Sequence, residues 1–210
     1  MIKSEFGSKS FPVWLLSEME VSLWDQKLEG PFDYRLPMRH VIATSVFNKI
    51  QETVFRLDKR RVDTDKFYIR SILPSQLNKP NINDVVWENA IKAELESIKK
   101  DIDKHHPKII LTYGAFAYES LRRIKNMSSD RSYGSWTPAE MGDAFREHVK
   151  NFEIKNANFF PFLDRSISGW RFLESHDEFV GSENADYYSY VGQEIGKLLI
   201  KHKDEIKVWV

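Results

Sequence analysis

Short unbroken apolar runs alternate along the chain with longer stretches in which apolar residues recur at helical spacing. Phe11 to Leu16 is the first run, and the acidic stretch from Ser17 to Glu20 follows it, which predicts a buried strand ending in a charged loop. Residues 21–40 hold Gly30, Pro31 and Pro37 without a sustained period and predict a long loop. Between Val41 and Leu57, Val46, Ile50, Val54 and Leu57 fall at steps of four, four and three, so all four belong on one helix face. Phe67 to Ile69 predicts a second strand, followed by a turn-rich loop with Pro74, Asn78, Pro80 and Asn81. Asn83 or Asp84 then caps a helix whose inward stripe is Trp87, Ile91, Leu95, Ile98 and Ile102.

The run from Lys108 to Tyr113, bounded by Pro107 and Gly114, is the clearest strand, and a helical pattern follows from Ala115 to Ile124. Its hydrophobicity is continuous rather than alternating, as in a strand covered on both faces. Residues 125–157 turn polar and small, an excursion that includes a short helix capped by Thr137 with Pro138 in its first turn. Asn158 to Leu163 resumes as a strand whose Pro161 keeps it from pairing centrally, and a last helix runs from about Asp186 to His202. The alternation of strand and helix predicts an α/β fold: a three-layer α/β/α sandwich on a four-stranded, mainly parallel sheet, spanning residues 1–210 as one domain. Ligands of such sheets bind outside the carboxyl ends of the strands. That rule selects Ser17 to Glu20, Arg70 to Asn78, Tyr113 with Gly114, and Asp164 to Gly169.

Composition narrows the chemistry. The 31 basic and 31 acidic side chains cancel, so an anionic partner must be met by a local patch. Arg56, Lys59, Arg60, Arg61, Lys66 and Arg70 form the one basic concentration of note, suited to phosphates or to complementing a helix end. With no cysteine, a thiol nucleophile, a disulfide framework and a cysteine-based zinc site are excluded, and a reducing cytoplasmic setting is expected. No apolar run approaches the ~20 residues of a membrane span. No His pair has ligand spacing beside a carboxylate, and no Walker loop, GxGxxG or GxSxG is present, so no cofactor or metal is implied.

Several segments together resemble the uracil-DNA glycosylase-like superfamily. The strand ending in YIRS (Tyr68 to Ser71), the Pro- and Asn-bearing loop, the amphipathic helix, and HPKIILTYGAFAYESL (His106 to Leu121) are similar to its second strand, loop, helix, third strand and Gly-started helix. EGPFDY (Glu29 to Tyr34) resembles a family stretch whose Phe stacks on the extruded base, a role that would fall to Phe32. The catalytic motifs differ. LLSEMEVSLWD stands where the family has a Gly-rich loop with a water-positioning acid or Asn, leaving Glu18 and Glu20 as candidates. Ser71 replaces an Asn that reads both polar atoms of a flipped uracil. Asp164, Arg165 and Ser166 replace His-Pro-Ser, so that Arg165 would stabilise a developing oxyanion and Asp164 would oppose it.

The resemblance therefore implies a DNA-repair type of hydrolase fold acting on or binding a nucleobase, nucleotide or nucleic acid. Glu18, Glu20 and Arg165 are its catalytic candidates; Phe32, Ser71, Asn78, Asp164, Ser166 and Trp170 are its base- or nucleic-acid-binding candidates. Little or no excision of uracil is expected. The alternative is a non-catalytic nucleotide-binding or protein-interaction module on the same fold, and either is expected to be monomeric.

Overall fold

The computed structural model describes residues 5–17, 42–73, 85–125, 132–133, 135–164, 170–183 and 185–210, the side chains of 42–43, 85–90 and 170 excepted. Its strands are β1 (Glu5–Phe6), β2 (Val13–Ser17), β3 (Phe67–Ser71), β4 (Ile109–Tyr113) and β5 (Asn158–Phe162). Its helices are α1 (Ile42–Asp58), α2 (Val85–His105), α3 (Ala115–Ile124), α4 (Pro138–Lys150), α5 (Trp170–Val180) and α6 (Tyr187–Lys201). One sheet runs in the order β1-β3-β2-β4-β5, parallel except for β1, which pairs antiparallel with β3. The sheet thus has five strands where the sequence pattern predicts four, because a two-residue strand carries no periodicity to read. A strand so short also blunts the sheet's edge.

β2 to β4 are buried throughout, matching their unbroken apolar sequences. Successive side chains point to opposite faces, which sorts the core into two halves. Val13, Leu15, Phe67, Ile69, Ile109 and Leu111 pack against α1, α4 and α6. Trp14, Leu16, Tyr68, Ile110 and Phe159 pack against α2 and α3. Strand order explains the division. The chain moves from β2 outward to β3 through α1, then back past β2 to β4 through α2, and right-handed crossovers in opposite directions place their helices on opposite faces.

β5 occupies an edge, as Pro161 requires, with its residues in register opposite Ile109 to Tyr113. The Thr137 cap forms as a reciprocal box with Glu140, and Pro138 opens α4. His106 has φ 50 and donates its N–H to Ile102 O, stopping α2 in the left-handed conformation before Pro107. Two sequence expectations need correction. Leu57 is 52% exposed rather than inward, since α1 ends one residue later and its inward stripe stops at Val54. Residues 170–180, which the sequence pattern leaves in the loop between the last strand and the last helix, form α5, whose inward positions include His176 beside Phe179 and so lack a uniformly apolar stripe.

Candidate functional site

Where the chain turns back past its first parallel strand, the sheet has a switch point between β2 and β4, and the crevice outside the carboxyl ends there is the favoured ligand position of open α/β sheets. Period two brings Ser71, Ser17, Tyr113 and Phe162 into one row across the last rung: Ser17 is in register with both Ser71 and Tyr113, and Tyr113 with Phe162. All four are buried.

The hydroxyls in this row are not equivalent. Ser71 Oγ accepts a hydrogen bond from the Leu73 N–H at 3.2 Å, turning the chain out of β3. Ser17 Oγ and Tyr113 OH are buried and have no hydrogen-bond partner among the described residues. Native structures hold few such atoms, so two neighbours on adjacent strands at a switch point call for an explanation. Burial pushes the Tyr113 phenol well above its usual pKa, and the nearby Tyr187 phenol adds to the effect, so Tyr113 stays neutral with the capacity both to donate and to accept.

Helices on the same face complete the surroundings. Tyr187, first residue of α6, accepts a hydrogen bond from the Leu163 N–H at 3.0 Å just past β5. Its ring stacks on His176 with centroids 4.9 Å apart. His176 Nε2 is also buried without a partner. Burial pushes its pKa down against the opposing pull of Asp177 and Asp186, leaving a neutral imidazole at neutral pH.

Beyond β4, Gly114 adopts φ 89 and starts α3 without a side-chain cap. A Cβ at Gly114 would stand 3.2 Å from Asp164 Cβ, so glycine is required there both for its backbone and for its neighbour. Ser71 and Asp164 share the carboxyl edge of the sheet but are separated by the width of β2, β4 and β5, about 14 Å at the usual strand spacing. Trp170 is the first residue of α5. Glu18, Glu20, Phe32, Asn78, Arg165 and Ser166 lie outside the described residues.

Parity along the strands marks Ser17, Ser71 and Tyr113 as residues of one face. His176 and Tyr187 carry no comparable signal, because in sequence His176 stands among polar and acidic neighbours and Tyr187 reads as one more inward position of an apolar helix stripe. The basic concentration stands elsewhere: Arg70 is buried on the opposite face, where it holds Glu94 at 2.6 Å and Asp101 at 2.6 Å. Two grooves among the described residues lie away from the switch point. One of about 450 Å³ lies between α2, α3 and Tyr133, and one of about 250 Å³ is lined by Lys125, His148 and Asn158 at the opposite end of β5.

Among the described residues no group of three or more His, Asp or Glu side chains is placed to hold a metal ion, and no helix is long and apolar enough to cross a membrane. In comparisons with known proteins, no family model and no curated protein matches the chain.

Proposed function

We propose that the chain is a divergent uracil-DNA glycosylase-like protein that takes a nucleobase or nucleoside into the crevice between the carboxyl ends of β2 and β4. The observation that carries this reading is the pair of buried, unpartnered hydroxyls of Ser17 and Tyr113 at the switch point. A nucleobase edge presents donors and acceptors side by side, and two neutral hydroxyls that both donate and accept can meet either pattern. Desolvating them without a ligand is unfavourable, and a bound polar edge would remove that penalty.

Hydrolysis of an N-glycosidic bond would need a carboxylate to direct water at the sugar carbon, with Glu18 and Glu20 as candidates, and a cation such as Arg165 to receive the electrons leaving with the base. Asp164 favours the second reading, a binding module without excision. Its carboxylate stands beside Gly114, where a negative charge opposes the oxyanion that a departing base develops. Ser71 points the same way, since its Oγ is engaged by the Leu73 N–H.

Titration of the full chain with uracil and with pyrimidine and purine nucleosides, followed by calorimetry, tests the binding. Ser17→Ala and Tyr113→Phe are each expected to weaken it about tenfold, the size of one lost hydrogen bond. Equal affinity of both variants and the parent would remove the crevice from consideration. A time course on uracil-containing oligonucleotides is expected to show little or no release. Robust release abolished by Glu18→Gln would establish excision in place of the binding-only reading.

A further inference from the structure

The last turn of α1 and the residues after it form a cationic, aromatic surface that the crevice does not use. Phe55 is 47% and Leu57 52% exposed. Lys59 Nζ lies 5.2 Å from the centroid of the Phe55 ring, and the Arg61 guanidinium lies 6.0 Å from it. Arg60 sits 5.6 Å over Trp209. Lys59 has φ 58 and donates its N–H to Phe55 O, which ends the helix and turns the lysine back over the ring.

Charge around this ring is uncompensated. Arg56, Lys59 and Arg61 are exposed and make no ion pair with another described residue. The neighbouring carboxylates are engaged elsewhere: Glu52 with Lys49, Asp58 with Arg60 and Lys203, and Asp63 with Lys66. In a chain of formal net charge zero, Lys59 and Arg61 beside one exposed aromatic ring, with the exposed Arg56 next to Phe55 in the chain and none of the three paired with a described residue, are a local attraction for a polyanion.

We propose that this surface binds single-stranded nucleic acid, with phosphates on Arg56, Lys59 and Arg61 and a base against Phe55. Single strands expose base faces for stacking, whereas a duplex hides them, and alternating cations and aromatics suit that chemistry. An anionic bilayer is a poorer match. The apolar face of α1, with Val46, Ile50 and Val54, is buried against the sheet, so among the described residues only Phe55, Leu57 and Val210, whose N–H bonds to Arg61 O, remain exposed here to enter lipid. The surface lies at the amino end of the sheet, about 25 Å down the 17 residues of α1 from its start near the switch-point end. It is therefore a contact separate from the crevice and does not depend on the reading of that site.

Fluorescence anisotropy with a labelled oligothymidylate of roughly 15 nucleotides tests it. Phe55→Ala is expected to weaken binding about five- to a hundredfold, the range of one lost base stack. The triple variant Arg56→Ala, Lys59→Ala, Arg61→Ala is expected to weaken it further and to make the slope of log affinity against log salt shallower by about 2. All four side chains are exposed, and unchanged melting temperatures would verify that the fold is intact. Oligonucleotide affinity unaltered in both patch variants would overturn the proposal, as would binding of the parent to phosphatidylserine vesicles with none to the oligonucleotide.

Discussion

Two buried tyrosines on one face of the sheet put their hydroxyls to different uses. Tyr187 OH accepts the Leu163 N–H, a buried backbone donor. Tyr113 OH, equally buried, meets no partner. Removing the first hydroxyl leaves a buried donor unsatisfied, and Tyr187→Phe is expected to lower stability by about 1–3 kcal/mol. Removing the second takes away a penalty instead. Tyr113→Phe is expected to leave stability unchanged or to raise it by up to about 1 kcal/mol while it weakens ligand binding, the trade expected of a residue retained for function. Urea denaturation of the two variants checks the pair, and a Tyr113→Phe protein less stable than Tyr187→Phe would show that the Tyr113 hydroxyl is structurally engaged. Arg70 shows the opposite case. A buried cation in a basic stretch reads as a phosphate ligand, yet Glu94, Asp101 and Ser97 account for its guanidinium.

At the scale of elements, glycines of α6 set how closely it approaches α1. A Cβ on Gly192 would fall 2.4 Å from Lys49 Cβ and 3.0 Å from Val46 O, so the helices must separate to admit one. Gly192→Ala is expected to lower stability by about 1–3 kcal/mol despite alanine's better helix propensity, measured as a shifted denaturation midpoint. A stabilised variant would mean that the interface relaxes freely. Helices with an uninterrupted apolar stripe, such as α2 with Ile91, Leu95, Ile98 and Ile102, were legible from the sequence because burial and period agree. α5 was not legible: its buried face mixes Ser175, His176 and Phe179, and its polar members hide the stripe. β1 was invisible for want of length, since its two residues are held by pairing with Ile69 and Arg70 rather than by their own pattern. For the candidate site, topology mattered most. The carboxyl-end rule selected Ser17 and Tyr113, but the sequence could not reveal that their hydroxyls would be buried without partners while Ser71 bonds back to Leu73.

Acid tolerance belongs to the whole molecule, because the groups that set it tie distant segments together. Glu5 on β1 and Asp101 on α2 meet Lys9, at 3.1 Å and 2.8 Å, and Arg70 on β3 holds Asp101 from beneath. Burial pushes both carboxyls up, but the hydrogen bond from Tyr68 to Glu5, those from Lys9 and the charge of Arg70 outweigh it and hold both below the usual carboxylate range. His148 and His176 also lie below their usual value, chiefly through burial. In all four the folded state binds protons less readily than the unfolded one, so stability is full above the unfolded pKa and falls as pH drops through the folded value.

The windows differ by residue type. The histidines act from about pH 6.5 downward and the carboxylates from about pH 4 downward, which predicts an acid limb in two stages. The carboxylate stage is modest, because Glu5 remains partly exposed and solvent screens the pair with Lys9. Denaturation midpoints between pH 8 and pH 3 resolve the two stages. His176→Phe keeps an aromatic ring among Phe172, Tyr187 and Tyr188, and it removes an Nε2 that has no partner. It is therefore expected to flatten the part of the limb that begins below about pH 6.5, at little cost at pH 8, whereas Lys9→Met flattens only the part below about pH 4. A His176→Phe protein that loses stability along the same slope as the parent from pH 6.5 would show that this imidazole is not the group being protonated.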